Sequence, residues 1–345
     1  MAKTWKAGVI GCGAIAQALH LPGYLRTPGV DVVAACDPVP QRLREAKALV
    51  GEGLRTYADY REMLTAERLD VVSVATPNKF HAEQTVAALR AGAHVILEKP
   101  AALSMREIER IRQAMQRSGR LVVVGFSHRH YRGNQRIRKL IQQGAIGEPF
   151  MIRIRFAHRG PSPGWAKSDW FYNPELAGGG ALLDMGIHAI DQCHWLLGPI
   201  RGVQARTATL RKDIAVEDNA ILLLEFERPR ALGYIEIGWT SPAGFVGLEI
   251  MGDKGCLRQD NAGATTLTTG KITPNAKKRP KLKTRVIDPT PGKGGWATEV
   301  TTIVKALRQG LDLDCGIEAG AASLAVALAA YKSAKTGRRV SIPVK

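Results

Sequence analysis

The chain has 345 residues and a formal net charge of +18 at pH 7, a length at which two hydrophobic cores are more usual than one. Hydrophobic residues make up 45% of it and charged residues 23%, which is typical of a soluble globular protein, and no apolar run approaches the roughly 18 residues of a membrane span. The chain begins without the pattern of a secretory signal, and its five cysteines are scattered. We therefore expect a cytoplasmic protein with reduced thiols, no membrane association and no zinc site.

Short β-branched apolar runs alternate with helical patterns up to about residue 125, which is typical of parallel βαβ units. The predicted strands are 6–10, 30–36, 71–75, 94–97 and 121–124, and the predicted helices are 14–25, 40–50, 58–64, 81–91 and 104–118. The fold class is therefore α/β, and residues 1–125 are predicted to form a doubly wound Rossmann domain.

Strands dominate the rest of the chain, which we expect to form a second domain, residues 126–345, for substrate binding and oligomerisation. The predicted helices are 135–143, 184–197, 296–309 and 317–334, and the predicted strands are 149–156, 202–210, 219–227, 231–239 and 247–252. This order predicts an α/β domain with a largely antiparallel sheet, its C-terminal helices able to pack back on the first domain.

Eight basic residues and one acidic residue lie between Lys271 and Lys293, in a proline-rich segment. A solvated loop is the simplest interpretation. Attraction of anionic substrates, such as sugar phosphates or nucleotide sugars, and nonspecific nucleic-acid contact are the alternatives. Because no aromatic residue alternates with these lysines as a stacking surface, we do not expect nucleic acid as a partner.

The first predicted strand runs into Gly11-Cys12-Gly13-Ala14-Ile15-Ala16, a GxGxxA pattern that opens a helix. Such glycines let backbone N–H groups approach a pyrophosphate at the positive end of the helix. Asp37 ends the second strand, where a carboxylate accepts the ribose hydroxyls and repels a 2′-phosphate. The pattern favours NAD over NADP, although Arg42 lies close enough in sequence to weaken this preference.

Two further clusters, Ala75-Thr76-Pro77-Asn78 and Glu98-Lys99-Pro100, follow predicted parallel strands. Ligands of open α/β sheets bind at the carboxyl ends of such strands. A lysine directly after a buried strand needs a partner or a solvent-lined cleft. Lys99 is therefore a candidate functional residue, with a salt bridge to Glu98 or to another carboxylate as the structural alternative.

Asp184 and His188 are four residues apart in a predicted helix and so share one face. A carboxylate there can orient the imidazole for proton transfer. The alternative is a helix-capping aspartate beside an unrelated core histidine. A metal site of His188, Asp191 and His194 is disfavoured because no further ligands lie nearby in sequence, and we expect no metal.

Together the GxGxxA turn, Asp37, the two strand-end clusters, Gly125-Phe126 followed by Arg129, and Asp184-x-Gly186-x-His188 resemble the Gfo/Idh/MocA oxidoreductase family over nearly the whole chain. The resemblance implies a Rossmann domain, a C-terminal domain with an open, largely antiparallel sheet, and a homodimer or homotetramer formed through that sheet's exposed face. The cofactor-binding residues that it implies are Gly11, Gly13, Ala14, Ile15, Asp37, Ala75, Thr76, Pro77, Asn78, His81, Glu98 and Lys99.

The resemblance also implies hydride transfer between NAD and a secondary hydroxyl of a sugar, inositol or sugar derivative, possibly an anionic one. Its catalytic residues would be His188 as the base, Lys99 as the cation that stabilises the developing alkoxide, and Asp184 as the orienting carboxylate. Substrate contacts would be made by Arg129, His130, Trp165, Trp170, Asp184 and His188. His130 stands where an aromatic residue is expected in the family.

Two other functions fit the same motifs. One is a redox-assisted glycosidase or lyase, in which bound NAD oxidises the sugar transiently and is regenerated. The other is an NAD-binding regulator without catalysis. Retention of both Lys99 and His188 argues against the regulator.

Overall fold

The computed structural model describes residues 3–162, 164, 166, 168–270, 281–288, 294–311 and 313–343. Contacts between residues divide the chain into two compact units. The first comprises Met1–Ser127, Trp165–Gly178 and Trp296–Leu324, and the second comprises His128–Gly164, Gly179–Gly295 and Ala325–Lys345. The first unit thus includes two segments that lie beyond the predicted division at residue 125.

The first unit contains a six-stranded parallel sheet in the order β3-β2-β1-β4-β5-β6. Its strands are β1 (Trp5–Ile10), β2 (Val30–Cys36), β3 (Arg55–Tyr57), β4 (Val71–Val74), β5 (His94–Leu97) and β6 (Val122–Val124). Strand β4, all of whose residues are buried, is apolar except for Ser73, because helices cover both faces of a parallel sheet. The predicted Rossmann fold is confirmed. Only β3 was missed, because it is short and mostly exposed.

The helices largely follow the predicted spans. In chain order they are α1 (Leu21–Leu25), α2 (Pro40–Val50), α3 (Tyr60–Ala66), α4 (His81–Arg90), α5 (Met105–Ser118), α6 (Arg132–Gln142), α7 (Pro174–Ala177), α8 (Ile187–Leu197), α9 (Glu299–Arg308) and α10 (Ile317–Thr336). Two π-helical segments, Ala16–His20 and Leu182–Gly186, lead into α1 and α8. No helix of the described ranges is both long and apolar enough to cross a membrane.

The second unit contains a nine-stranded sheet in the order β14-β13-β12-β11-β7-β10-β9-β8-β15. Its strands are β7 (Pro149–Ala157), β8 (Ile200–Ala208), β9 (Asn219–Phe226), β10 (Leu232–Gly238), β11 (Phe245–Gly252), β12 (Gly255–Gln259), β13 (Thr265–Thr269), β14 (Lys283–Asp288) and β15 (Val340–Ser341). Neighbouring strands are antiparallel except for β7 and β10, which are parallel. The predicted largely antiparallel sheet is confirmed.

The sequence did not predict the strands at the two margins of this sheet, β12 to β15. Lys283–Asp288 lies in the basic segment predicted as a solvated loop, yet it forms strand β14 against β13. That part of the prediction was wrong, because an edge strand can keep most of its side chains exposed and so lacks apolar alternation. The rest of the basic segment, 271–280 and 289–293, lies outside the described residues.

Candidate functional site

The Gly11–Gly13 turn follows β1 in the first unit. Gly11 has φ = +89°, and a Cβ there would lie 2.6 Å from the carbonyl oxygen of Ala75, so no other residue fits. A Cβ on Gly13, in contrast, would meet no atom within 4 Å. The turn therefore leaves open space beside its backbone, as close approach of a phosphate group requires.

Asp37 follows β2, and its carboxylate is only 2% exposed. Its two oxygens accept hydrogen bonds from the backbone N–H groups of Cys12 and Val39, each at 2.9 Å. The Arg42 guanidinium lies 3.6 Å from the same carboxylate. Asp37 thus ties the glycine turn to the end of β2.

His81, at the start of α4, connects the two clusters that follow β4 and β5. Its ring nitrogens lie 2.7 Å from the carbonyl oxygen of Pro100 and 2.8 Å from that of Thr76. Burial lowers the pKa of His81, so the neutral ring donates to one of these carbonyls at a time. With no exposed surface, this side chain acts by holding the two turns together.

The turn after β5 carries Lys99 and is supported by a buried contact between Glu98 and His20. The Glu98 carboxylate lies 3.0 Å from Nε2 of His20 and accepts the backbone N–H of Lys99 at 3.3 Å. Burial alone would raise the pKa of Glu98, but the hydrogen bond and charge of His20, with the charge of Lys99, outweigh burial and lower it. The carboxylate is therefore ionised, and Gly125 makes room for it, since a Cβ there would lie 3.2 Å from Oε1.

A second buried acid belongs to the same unit. Glu299, the first residue of α9, is 0% exposed, and neither carboxyl oxygen has a hydrogen-bond partner within 3.5 Å. Burial and the negative charge of Glu98 raise the pKa of Glu299 to about 8. Glu299 is therefore a neutral acid at pH 7, while Glu98 is ionised.

Asp184 and His188 both belong to the second unit. Asp184 lies in the π-helical segment Leu182–Gly186 and is 8% exposed. His188 follows in the first turn of α8 and is partly exposed. π-Helical turns often occur at functional sites, and the spacing of four residues keeps the two side chains on one side of the helix.

The His188 ring packs in a cluster of aromatic residues within the second unit. The ring of His128 lies 5.0 Å from it and that of Phe156 lies 6.3 Å from it, between ring centroids. His128 and Phe156 in turn are 5.1 Å apart. These rings limit the orientations that the imidazole can adopt.

Arg129 and His130, two predicted substrate contacts, are almost fully buried, at 6% and 7% exposure. The guanidinium of Arg129 donates two hydrogen bonds to Asp191, at 2.9 and 2.6 Å. Asp191 is therefore occupied by an ion pair, which removes it from the metal site considered with His188 and His194. Within the described part of the chain, no group of three His, Cys, Asp or Glu residues could hold a metal ion.

The two predicted tryptophan contacts fall in or beside an incompletely described stretch. Trp165 lies outside the described residues. Trp170 begins a 3₁₀ turn, Trp170–Tyr172, in the first unit, and its ring stacks on Phe171 with 3.8 Å between centroids.

Several residues around the predicted site were not anticipated from the sequence. They are His20 and Glu299 beside Glu98, and His128 and Phe156 beside His188. A histidine at the end of a π-helical segment and a glutamate at the start of a helix give no local signal of burial. His128 lies two residues after the Gly125-Phe126 pair, so it could have been identified as a candidate residue from that motif.

The first unit fits a dinucleotide on its own geometry. Gly13 leaves space for a pyrophosphate, and Asp37 offers a fixed carboxylate for ribose hydroxyls. Thr76 and Lys99 follow β4 and β5 at the same edge of the sheet. These are the positions at which open parallel sheets bind ligands.

Comparison with known protein families supports this assignment. Residues 5–126 match the model described as "Oxidoreductase family, NAD-binding Rossmann fold". Residues 134–258 match the "GFO/IDH/MocA C-terminal domain". The two matches follow one another along the chain in the order expected for the family.

Individual relatives agree. The chain is 35% identical over 195 residues to D-glucoside 3-dehydrogenase of Escherichia coli, an alignment that covers 56% of this chain and 54%, about half, of that relative. It is 32% identical over 268 residues to inositol 2-dehydrogenase of Klebsiella pneumoniae, covering 76% of each. The solved structure of the WlbA dehydrogenase from Bordetella pertussis, in complex with NADH and UDP-GlcNAcA, superposes with a TM-score of 0.79 and 27% identity over 100% of both chains. The chain belongs to the Gfo/Idh/MocA family of oxidoreductases, with an NAD-binding Rossmann domain at residues 5–126.

Proposed function

We propose that the protein is an NAD-dependent dehydrogenase that acts on a secondary hydroxyl, or the corresponding ketone, of a sugar, inositol or sugar derivative. The observation that carries this proposal is the grouping of the Gly11–Gly13 turn, Asp37, Thr76 and Lys99 at one edge of the parallel sheet. This edge belongs to a domain of a known oxidoreductase family.

The proposed roles follow from the charge that alcohol oxidation develops. When bound, NAD accepts the hydride from the carbinol carbon. The His188 imidazole removes the hydroxyl proton as general base, and Asp184 orients that ring. The Lys99 ammonium stabilises the developing alkoxide. The Glu98 carboxylate, which accepts the backbone N–H of Lys99, holds the turn in place.

The substrate class rests on the relatives, whose names describe dehydrogenases of a glucoside and of inositol. We propose that Trp165 and Trp170 contact the substrate. Arg129 and His130 are nearly fully buried, and we propose that they act indirectly, by holding the turn that carries His128. An anionic sugar derivative would be attracted by the net charge of +18.

We also propose that the protein forms a homo-oligomer through the outer face of the nine-stranded sheet. Ile221, Leu223 and Leu232 on this face are 48%, 54% and 55% exposed, which is unusual for neighbouring large apolar residues. The pair Arg155 and Glu236, 2.9 Å apart, lies on the same face. A homodimer or homotetramer would bury these side chains.

We also propose that the protein is located in the cytoplasm. All five cysteines are free thiols, and a reducing compartment maintains that state.

The test is a panel of sugars, polyols, inositols and sugar phosphates, followed by NADH absorbance, with NADP in parallel. We expect NADH formation with at least one member. Release of an aglycone without net NADH would instead identify a redox-assisted glycosidase. Tight NAD binding without turnover of any member would contradict the proposed activity and favour a regulator.

A further inference from the structure

The segment before Asp184 contains three consecutive glycines, and two of them face side chains or backbone from distant parts of the second unit. A Cβ on Gly179 would collide with the hydroxyl of Tyr331, in α10. A Cβ on Gly180 would collide with the carbonyl oxygen of Glu217, just before β9. The glycines therefore allow Glu217 and Tyr331 to approach the backbone of this segment closely.

Glu217 lies close enough to form hydrogen bonds with the backbone of this segment. Its Oε1 atom accepts the backbone N–H of Gly180 at 2.9 Å and that of Leu182 at 3.0 Å. Its own carbonyl oxygen accepts the N–H of Ala181 at 2.9 Å. One residue thus satisfies three successive backbone donors, at a point where the π-helical turn begins and leaves such donors without intrahelical partners.

Tyr331 completes the arrangement by donating its hydroxyl to the same Oε1 atom at 2.8 Å. Burial, with the charge of Glu217, raises the pKa of Tyr331 well above its ordinary value, so the hydroxyl keeps its proton and remains a donor. Burial also raises the pKa of Glu217, against the opposing effect of the hydrogen bonds that it accepts. Three donors on one oxygen fix its position.

The bound segment continues without a break into the helix that carries the proposed base. The N–H of Asp184 donates to the carbonyl oxygen of Gly180 at 3.0 Å, so the placement of Gly180 sets that of Asp184. His188 follows one turn later. Any displacement of residues 180–182 is therefore transmitted to both side chains.

We propose that Glu217 and Tyr331 are positioning residues, which hold the glycine segment so that Asp184 and His188 keep their catalytic orientation. The expected loss of kcat rests on the proposed function, whereas the positioning of His188 by Glu217 and Tyr331 does not. Neither residue belongs to a motif that the sequence analysis identified.

The experiment compares Glu217→Ala, which removes the acceptor, with Glu217→Gln, which keeps an acceptor oxygen for the two amides, and with Tyr331→Phe, which removes one donor. The matched control is Tyr60→Phe, because Tyr60 donates a similar hydrogen bond to Glu83, at 2.6 Å, in the other unit. The readouts are kcat, KM, the Kd for NAD and the ring resonances of His188, assigned with His188→Asn.

We expect Glu217→Ala to lower kcat by about 10- to 100-fold, the usual cost of a small misplacement of catalytic groups, with the Kd for NAD unchanged. Glu217→Gln should recover most of this loss, and Tyr331→Phe should lose less than Glu217→Ala. If Glu217→Ala does not fold, Tyr331→Phe and Glu217→Gln still test the proposal. Values of kcat for Tyr331→Phe equal to those of the Tyr60→Phe control would overturn it.

The His188 resonances separate this inference from the proposed function. If no substrate is found, displaced His188 ring resonances in Tyr331→Phe, absent in Tyr60→Phe, would still support the positioning role. Unchanged resonances would overturn it, whatever the reaction proves to be.

Discussion

The two candidate regions are held in place in different ways. In the first unit, Gly11, Asp37, Thr76 and Lys99 follow four strands of one parallel sheet. Asp37 links the turns after β1 and β2, and the buried His81 links the turns after β4 and β5. In the second unit, Asp184 and His188 follow an irregular glycine segment. Side chains far away in sequence hold that segment.

The difference shows that functional residues can be positioned either by backbone topology or by hydrogen bonds from distant side chains. A parallel sheet aligns the carboxyl ends of its strands, so few further contacts are needed to bring functional groups together. A helix entered from a loop has no such alignment. Its orientation depends on whatever satisfies its first N–H groups, and here the carboxylate and the backbone carbonyl of Glu217 do so.

The largest effect should come from the proposed catalytic groups, one from each region. General acid–base catalysis typically contributes about 10²- to 10⁴-fold, so His188→Ala should lower kcat by that order. Loss of a group that stabilises an oxyanion typically costs about 10²- to 10³-fold, which we expect for Lys99→Ala. Asp184→Asn should be milder if Asp184 only orients the ring. NAD binding, measured by fluorescence titration, should be nearly unchanged in all three, because the adenosine and pyrophosphate are assigned to Gly11, Gly13 and Asp37.

The double variant Lys99→Ala/His188→Ala sharpens the comparison. If both residues act on the same alcohol, its loss should fall far short of the product of the single losses, since groups that work as a unit are not additive. A His188→Ala enzyme with near-normal kcat on a verified substrate would refute the assignment of the base.

The same contrast explains what could be predicted from sequence. The Rossmann sheet and its strand-end motifs follow from local patterns, since the apolar runs, GxGxxA and Glu98-Lys99-Pro100 each occupy a few adjacent residues. The contact of His20 with Glu98 spans 78 residues, and that of Tyr331 with Glu217 spans 114. Such pairs leave no local pattern. Strand β14 was missed for a related reason, because its mostly exposed sequence lacks the alternation of a half-buried strand.

A second prediction concerns the opposite protonation states of Glu98 and Glu299 in the first unit. Because Glu299 has a pKa of about 8 in the folded chain, against 4.5 ordinarily, the folded state binds a proton that the unfolded state loses. The free energy of unfolding should therefore fall as pH rises from about 4.5 to 8, by roughly 1.4 kcal/mol per pH unit from this group at most. Glu299→Gln should abolish that fall and be the more stable protein at pH 8.

Urea unfolding midpoints of wild type and Glu299→Gln at several pH values check this expectation. Glu62→Gln is the control, since Glu62 is exposed on α3. A difference between wild type and Glu299→Gln that does not grow with pH would show that Glu299 is not a buried neutral acid. The first unit would then contain two ionised carboxylates, those of Glu98 and Glu299.

The smallest effect that we predict is a preference for NAD over NADP. It tests whether the Asp37 carboxylate is held in a fixed position. The Asp37 carboxylate is fixed by two backbone N–H groups and should accept ribose hydroxyls through its remaining lone pairs. Hydrogen bonds to a charged acceptor are each worth about 1.5 to 3 kcal/mol, and a 2′-phosphate would be repelled. We therefore expect NAD to bind about tenfold or more tightly than NADP.

Arg42 decides how far this preference can be weakened, because its guanidinium lies 3.6 Å from Asp37 and could attract a 2′-phosphate. Arg42→Ala should weaken NADP binding further and leave NAD binding nearly unchanged. Arg44→Ala, which removes an exposed arginine bonded to Gln41 on the same helix, should change neither. Fluorescence titration of both cofactors measures these affinities. Equal affinities of the wild type for NAD and NADP would mean that Arg42 overrides the carboxylate, and the fixed geometry of Asp37 would not determine the cofactor.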